Sequence, residues 1–384
     1  MHDRTAREVH DAETGAVDPR TNGAHGASEG LKSTAVDQRL TAAPDADVSV
    51  PEPDPLTRRF FNVRTLASFL FGFAMLAIVL PRMNVELGGI MARLTQANLL
   101  LYLAALLSYY LTFPIRAFRW RKLLRNVGFL PGEGVQLPSI SGISEIILLS
   151  WFANCIVPAK LGDAYRALLL KQSAGVPFSK TFGTILAERI IDTLLLFTLL
   201  GLSATLAFHG ALPGQVLAIL QGGLLLVVLV LIGLLSMRGL SRFITPLVPK
   251  RFRAHYGSFE AGTLGAFGVG RMPMVLVYSL LCWGIEAGRL YIVTSALGLS
   301  SVAWPVVLFV ALAAALLTTL PITPAGLGFV ESAVVGILVL AGNAGLVAGI
   351  DENLAASIAI LDRTISYWSV ILVGLVVYLL SKRR

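Results

Sequence analysis

Apolar residues along this 384-residue chain gather into nine runs, at roughly 65–81, 97–114, 138–158, 182–208, 214–236, 273–297, 302–320, 327–345 and 354–380. Each is close to the ~17–25 residues that cross a bilayer as α-helix. The pattern predicts an all-α fold, a polytopic membrane bundle of about six to eight spanning helices plus one or two re-entrant segments. Composition points the same way. The chain is 55% apolar and 14% charged, against ~25% charged for soluble domains, which excludes a soluble enzyme of ordinary design.

Charge sets the expected orientation. If all nine runs crossed with the N-terminal flank inside, the basic loops 159–181 and 237–272 and the end Lys382-Arg383-Arg384 would lie outside. Cytoplasmic loops normally carry the excess of Lys and Arg. Letting 138–158 enter and leave on the cytoplasmic face puts 21 Lys and Arg on the inside flanks, and leaves Arg82 and Arg93 outside with Asp351 and Glu352. That segment is therefore predicted to be re-entrant. It contains Pro138, Gly142, Glu145, Asn154 and Pro158, and irregular backbone at membrane depth survives where protein or a wet cavity surrounds it. The expected location is the inner membrane, with both termini cytoplasmic. Residues 1–57, with eleven acidic and five basic residues, are predicted to be a disordered acidic cytoplasmic tail ahead of a membrane domain over 58–384. No apolar h-region follows Met1, so no cleaved signal is expected.

Two short strings repeat: Pro-Ala-Lys-Leu-Gly at 158–162 and Pro-Ala-Gly-Leu-Gly at 324–328. Arg116-Ala-Phe-Arg119-Trp120 precedes the first, and Glu286-Ala-Gly-Arg289 precedes the second. Glu188-Arg189-Ile-Ile-Asp192 follows the first, and Asp362-Arg363 follows the second. Under the topology above, the corresponding spans run in opposite directions, the plan of an inverted-repeat transporter with substrate held where the repeats meet. Pro158, Gly162, Pro321, Pro324, Gly326 and Gly328 are the expected helix breaks, since Pro removes a donor and Gly permits positive φ. Parity leaves open whether 302–345 spans twice or forms a hairpin.

Charges within hydrocarbon cost ~2.5–3.5 kcal/mol each on insertion scales, so Glu188, Arg189, Asp192, Glu286, Arg289, Asp362 and Arg363 need an account. One is internal ion pairing: Glu286 and Arg289 are three residues apart and can pair on one helix, and Arg189 with Asp192 is the matching expectation. The other is a polar cavity that receives a charged headgroup, to which every deep cation being Arg lends weight. The candidate substrate-binding set adds Arg119, Asn154, Asp163, Arg166 and Glu331. Arg116, Arg119, Arg121, Lys122 and Arg125 with Trp120 equally fit a belt against anionic lipid. Cys155 and Cys282 suggest no disulfide framework. The five histidines are scattered without metal spacing, and no GxxxxGK[ST] loop occurs. Neither a cofactor nor a metal nor nucleic acid is expected; the expected partners are membrane lipids, with a lipid-synthesising enzyme as a further one.

The strings RAFRW (116–120), N-x3-P-x3-GD-x2-R (Asn154 to Arg166), ER-x2-D (188–192) and LPITPAGLGFVE (320–331) resemble the lysylphosphatidylglycerol synthase transmembrane-region family of flippase-like proteins. The resemblance covers about residues 100–380 and implies a lipid translocator without the aminoacyl-transferase domain of the synthases. Two alternatives stand beside it: an enzyme transferring a group onto a polyprenyl-phosphate carrier, with Asp163, Glu188 or Asp192 as base or metal ligand, and a non-transporting partner of a lipid-synthesis system.

Overall fold

The computed structural model describes residues 86–157, 161–210, 212–318 and 323–381, preceded by residues 67, 69–74 and 77–78 of an earlier helix. The expected acidic tail, Pro158 and Pro321 lie outside the described residues. Among those described, every regular element is helical.

Twelve helices follow in order: α1 (Leu87–Thr95), α2 (Leu99–Asn126), α3 (Ile140–Ile156), α4 (Gly162–Ala174), α5 (Phe178–Ala207), α6 (Gly214–Leu247), α7 (Arg253–Ala266), α8 (Met272–Ala296), α9 (Trp304–Thr318), α10 (Phe329–Asn343), α11 (Glu352–Arg363) and α12 (Ser369–Leu380). Side-chain caps set several starts. The Asn98 carboxamide accepts from the N–H groups of Leu100 and Leu101, and Ser139 and Asp351 accept from Gly142 and Leu354, satisfying donors a helix start leaves open. Gly175, at φ 66°, ends α4, a conformation a Cβ would penalise. α11 and α12 are one continuous rod joined by a π-helical turn over Thr364–Trp368.

Five described helical stretches are long and apolar enough to cross a membrane: Leu99–Asn126, Phe178–Ala207, Val216–Met237, Met272–Ala296 and Glu352–Leu380. Their outward faces are what water would reject. Leu100, Leu107, Leu224, Leu235, Leu372 and Leu380 are each more than 60% exposed. With so many large apolar side chains outside and charges inside, hydrocarbon is the compatible solvent. α3, α9 and α10 have 17, 15 and 15 residues. At 1.5 Å per residue that is ~22–26 Å, short of the ~30 Å hydrocarbon core.

The order of lengths repeats. α1 to α5 read short, long, short, short, long, and α7 to α12 read the same, with α6 between them. Packing repeats too. α2 lies along α8, α3 packs on α4 and α9 on α10, while α9 lies against α5 and α3 against α12. Each half thus sets its short helix on the last long helix of the other. The span expected at 97–114 continues as helix to Asn126 through Pro114. The basic segment after residue 115 is therefore helix, and Arg116, Arg119 and Trp120 are buried. A belt on anionic lipid is not what these three form; Arg121, Lys122 and Arg125, partly exposed, remain free for it.

Candidate functional site

α2 brings Arg116 and Arg119 onto one face, three residues apart. Arg119 is 1% exposed and points at α5. It donates to both Asp192 oxygens at 2.5 and 3.0 Å, to Glu188 Oε1 at 2.6 Å and to Ser279 Oγ of α8 at 2.8 Å. Arg166, on α4, donates to both oxygens of the same Glu188 at 3.2 and 3.0 Å, and its guanidinium lies 3.8 Å from the centre of the Trp120 ring. Trp120 Nε1 donates to Thr184 at 3.1 Å. Two arginines, two carboxylates and an indole thus lock α2, α4 and α5 together. Removing one partner of such a buried set costs ~3–5 kcal/mol.

The first helix break is held from beneath. Asn154 Oδ1 accepts from Gly162 N at 2.9 Å. A Cβ on Gly162 would collide with the Ser150 carbonyl and the Asn154 side chain, so glycine is required there by close approach. One residue on, Asp163 accepts a bidentate pair from Arg189 at 3.0 and 2.6 Å. Of the cations in this group Arg189 is the most accessible, its side chain 36% exposed. The expected Arg189–Asp192 pairing is corrected. The two residues stand on one helix, but Asp192 is taken by Arg119 and Arg189 by Asp163, because the α4 start lies against Arg189.

In the second half Arg289 donates to Asp362 and to Glu286 Oε2, the latter at 3.1 and 3.3 Å, so the expected Glu286–Arg289 pair is present. Glu286 Oε1 accepts from Arg116 at 3.2 Å. Arg363 donates to Glu331 at 2.6 Å and to the Ala325 carbonyl at 3.1 Å. Glu331 in turn accepts from Gly328 N at 2.7 Å, capping the start of α10. The intervening turn is strained: Ala325 has φ 46°, beside Gly326 at 74° and Gly328 at 89°. A side-chain-bearing residue pays ~1–2 kcal/mol there, and the Arg363 bond to its carbonyl helps hold it. Pro324 opens the short 3₁₀ turn over Pro324–Gly326.

Between these clusters lies a cavity of about 230 Å³. Arg116, Arg189, Arg289 and Arg363 line it with Asp192, Glu286 and Asp362, and Tyr109, Trp151, Asn154, Trp283, Thr323 and Ser366 are among its other polar lining. Arg119, Arg166, Asp163, Glu188 and Glu331 hold those groups without lining the space. Taken together, six arginines meet six carboxylates, so the fully ionised set is neutral. Every sequence-predicted charged residue falls into this assembly. Arg116, Tyr109, Trp151, Trp283 and Ser279 were outside the predicted set. For Arg116 the signal was present, three residues before Arg119; the aromatic residues carry no signal that separates a cavity wall from bilayer-facing helix.

The two clusters correspond by number. Arg119 with Asp192 and Arg289 with Asp362 are each 73 residues apart, and Arg116 and Glu286, which pair with each other, are 170 apart. The same interval relates Arg119 to Arg289 and Asp192 to Asp362. It also relates Tyr109 to Ser279: Arg119 bonds Ser279, and Arg289 lies 5.5 Å from the Tyr109 ring centre.

A UPF0104 membrane protein of Methanocaldococcus jannaschii is 34% identical over 234 residues, 61% of this chain and 95% of that protein. One of Pyrococcus horikoshii is 25% identical over 75% of this chain and 89% of its own. The glycosyltransferase AglD of Haloferax volcanii is 29% identical over 155 residues, 39% of this chain but 23% of that protein. A family model, the lysylphosphatidylglycerol synthase TM region, matches residues 65–374, and the chain is a multi-pass membrane protein belonging to that family.

Proposed function

We propose that this protein moves a lipid with an anionic or zwitterionic headgroup between the leaflets of the cytoplasmic membrane. The observation that carries the reading is the neutral, fully ion-paired cavity set among membrane-length helices. A headgroup phosphate or amine entering it can exchange for an internal carboxylate or guanidinium, so charge need not be left bare in hydrocarbon at any stage. Arg189 and Asp163, the most accessible pair, form the entrance to that exchange.

The repeated element order and the 170-residue interval support reading the two halves as an inverted repeat. In each half two long helices flank a pair of short ones that enter and return, so the half starts and ends on one side. The crossing of α6 then puts the second half on the opposite side. Asn154, which bonds Gly162, and Ala325 at the second break both line the cavity, and such transporters bind substrate at broken helices.

The test is the full chain reconstituted in vesicles, with leaflet-resolved chemical labelling of phosphatidylglycerol and its aminoacylated form. Arg289→Lys keeps the charge and loses the fork; flux should fall while expression holds. Wild-type flux in both Arg189→Lys and Arg289→Lys, with rescue of Glu286→Arg by Arg289→Glu, would reduce these residues to structural ion pairs.

Similarity to part of AglD favours a second reading, group transfer onto a lipid carrier. Its base would have to be Asp163, Glu188 or Asp192. Each of these is engaged by at least one arginine, which suits an ion pair better than a base. Product formation from a labelled nucleotide-sugar by purified protein would favour transfer over transport.

A further inference from the structure

We infer that Arg116 and Trp283 form an anion subsite in the cavity wall, shaped for the non-bridging oxygens of a phosphodiester. The inference rests on the transport reading and specifies where the substrate's phosphate sits.

A guanidinium has five N–H donors and an indole has one; neither can accept. Arg116 makes one side-chain hydrogen bond, the 3.2 Å contact to Glu286 Oε1. That carboxylate is shared, since its other oxygen accepts twice from Arg289. Arg116 is 8% exposed, and its Nε is buried with no partner. Trp283 Nε1 is likewise buried and unpartnered. Trp283 stands three residues before Glu286, on the same face of α8, and both side chains line the cavity. Buried donors in native proteins are nearly always paired, so two unpartnered ones on residues that line one cavity call for an acceptor.

The neighbouring cations do not compete for it. Arg189 is closed bidentately by Asp163, Arg289 by Glu286 and Asp362, and Arg363 by Glu331 and Ala325. Arg119 and Arg166 also carry unpartnered Nε atoms, but they stand behind the cavity wall. Arg116 lies over Trp151, whose ring centre is 4.6 Å from the guanidinium carbon. That contact restricts the guanidinium's orientation. A ligand that brings several acceptor oxygens and one negative charge matches a guanidinium fork beside a single N–H.

The source of that phosphate is separated by three probes offered to the purified full chain in detergent: phosphatidylglycerol, diacylglycerol of the same chains, and inorganic phosphate. Retention is read by native mass spectrometry, and folding by thermal unfolding. Phosphatidylglycerol should be retained about tenfold better than diacylglycerol, and Arg116→Lys should erase most of that margin. Trp283→Phe, which keeps the ring and loses the N–H, should erase a smaller part. Both variants should unfold near the wild-type temperature. Equal retention of phosphatidylglycerol and diacylglycerol, or wild-type retention in both variants, would overturn the subsite. So would inorganic phosphate that blocks lipid retention as well as phosphatidylglycerol itself does, because the site would then be one for the free ion. A subsite that binds in a protein showing no flux would leave this inference standing and remove the transport reading. Normal flux with unchanged retention in both variants would do the reverse.

Discussion

The two charged clusters use the same residue types at the same sequence interval, yet the first has a sealed core behind the cavity wall and the second borders the cavity more fully. Around Arg119 and Arg166, side-chain exposure is between 1% and 5% for both arginines and Glu188, and Trp120 closes the set. Around Arg289, the partners Glu286 and Asp362 line the cavity, and Arg116 holds open donors. A shared residue pattern at a shared interval therefore does not carry equality of role. The Arg119–Arg166–Glu188 core of the first cluster is scaffold, while Arg189 and Asp192 join the second cluster in lining the cavity.

That contrast is broken most directly by removing a sealed carboxylate. Glu188→Ala strips Arg166 of its carboxylate partner and Arg119 of one of two. The expected cost is ~3–5 kcal/mol, enough to abolish folded protein in many membrane hosts, read as loss of a monodisperse detergent peak. Asp362→Asn in the second cluster should cost less, since Arg289 keeps Glu286 and the cavity allows water to reach the site. If Asp362→Asn proved the more damaging for folding, the division into scaffold and surface would be wrong.

Much of this assembly was legible in the sequence. Charged residues in apolar runs have few physical options, so Glu188, Asp192, Glu286, Arg289, Asp362 and Arg363 by themselves announce a polar interior. The boundary after residue 114 was not legible. A run of Arg and Lys after an apolar stretch looks like an interface, and only packing of α2 on α5 and α8 decides that Arg116, Arg119 and Trp120 turn inward. The pairing of Arg189 was hidden for a related reason: a spacing of three or four on one helix competes with partners that another helix brings, and α4 brings Asp163 closer. Strain at Ala325 was also invisible, because nothing in Pro-Ala-Gly-Leu-Gly says which residue takes positive φ.

The two helix breaks sharpen the contrast at smaller energies. Gly162 is fixed by close approach to the Ser150 carbonyl and the Asn154 side chain, whereas Gly328 is fixed by φ 89°. Gly162→Ala should force α3 and α4 apart and cost ~1–3 kcal/mol by overpacking. Gly328→Ala should cost ~1–2 kcal/mol through backbone strain alone. Asn154→Ala relieves part of the first collision and none of the second, so it should restore stability to Gly162→Ala and leave Gly328→Ala unchanged. Thermal unfolding of the two double variants checks this; equal rescue of both would mean the breaks are not held differently.

The smallest expected effect lies at the ends of the two halves, where α1 and α7 occupy corresponding places. α7 is pressed into α5: a Cβ on Gly183 would strike the Phe259 carbonyl, and one on Gly262 would strike the Lys180 carbonyl. α1 meets α11 through a polar rim instead. Arg93 pairs with Asp351 at 2.5 Å with side chains 37% and 48% exposed, and Glu86 N donates to Asn353 Oδ1 at 2.8 Å. An ion pair that open is worth ~0–1 kcal/mol, and salt screens it. Arg93→Ala should therefore lower thermal stability slightly at low ionic strength and not measurably at ~1 M salt, where the Debye length falls to ~3 Å. Gly183→Val, by contrast, should destabilise at every salt concentration, because the contact it spoils is steric. A salt-independent loss in Arg93→Ala would show that α1 is fastened by more than its rim, and that α1 and α7 are closer in kind than their packing indicates.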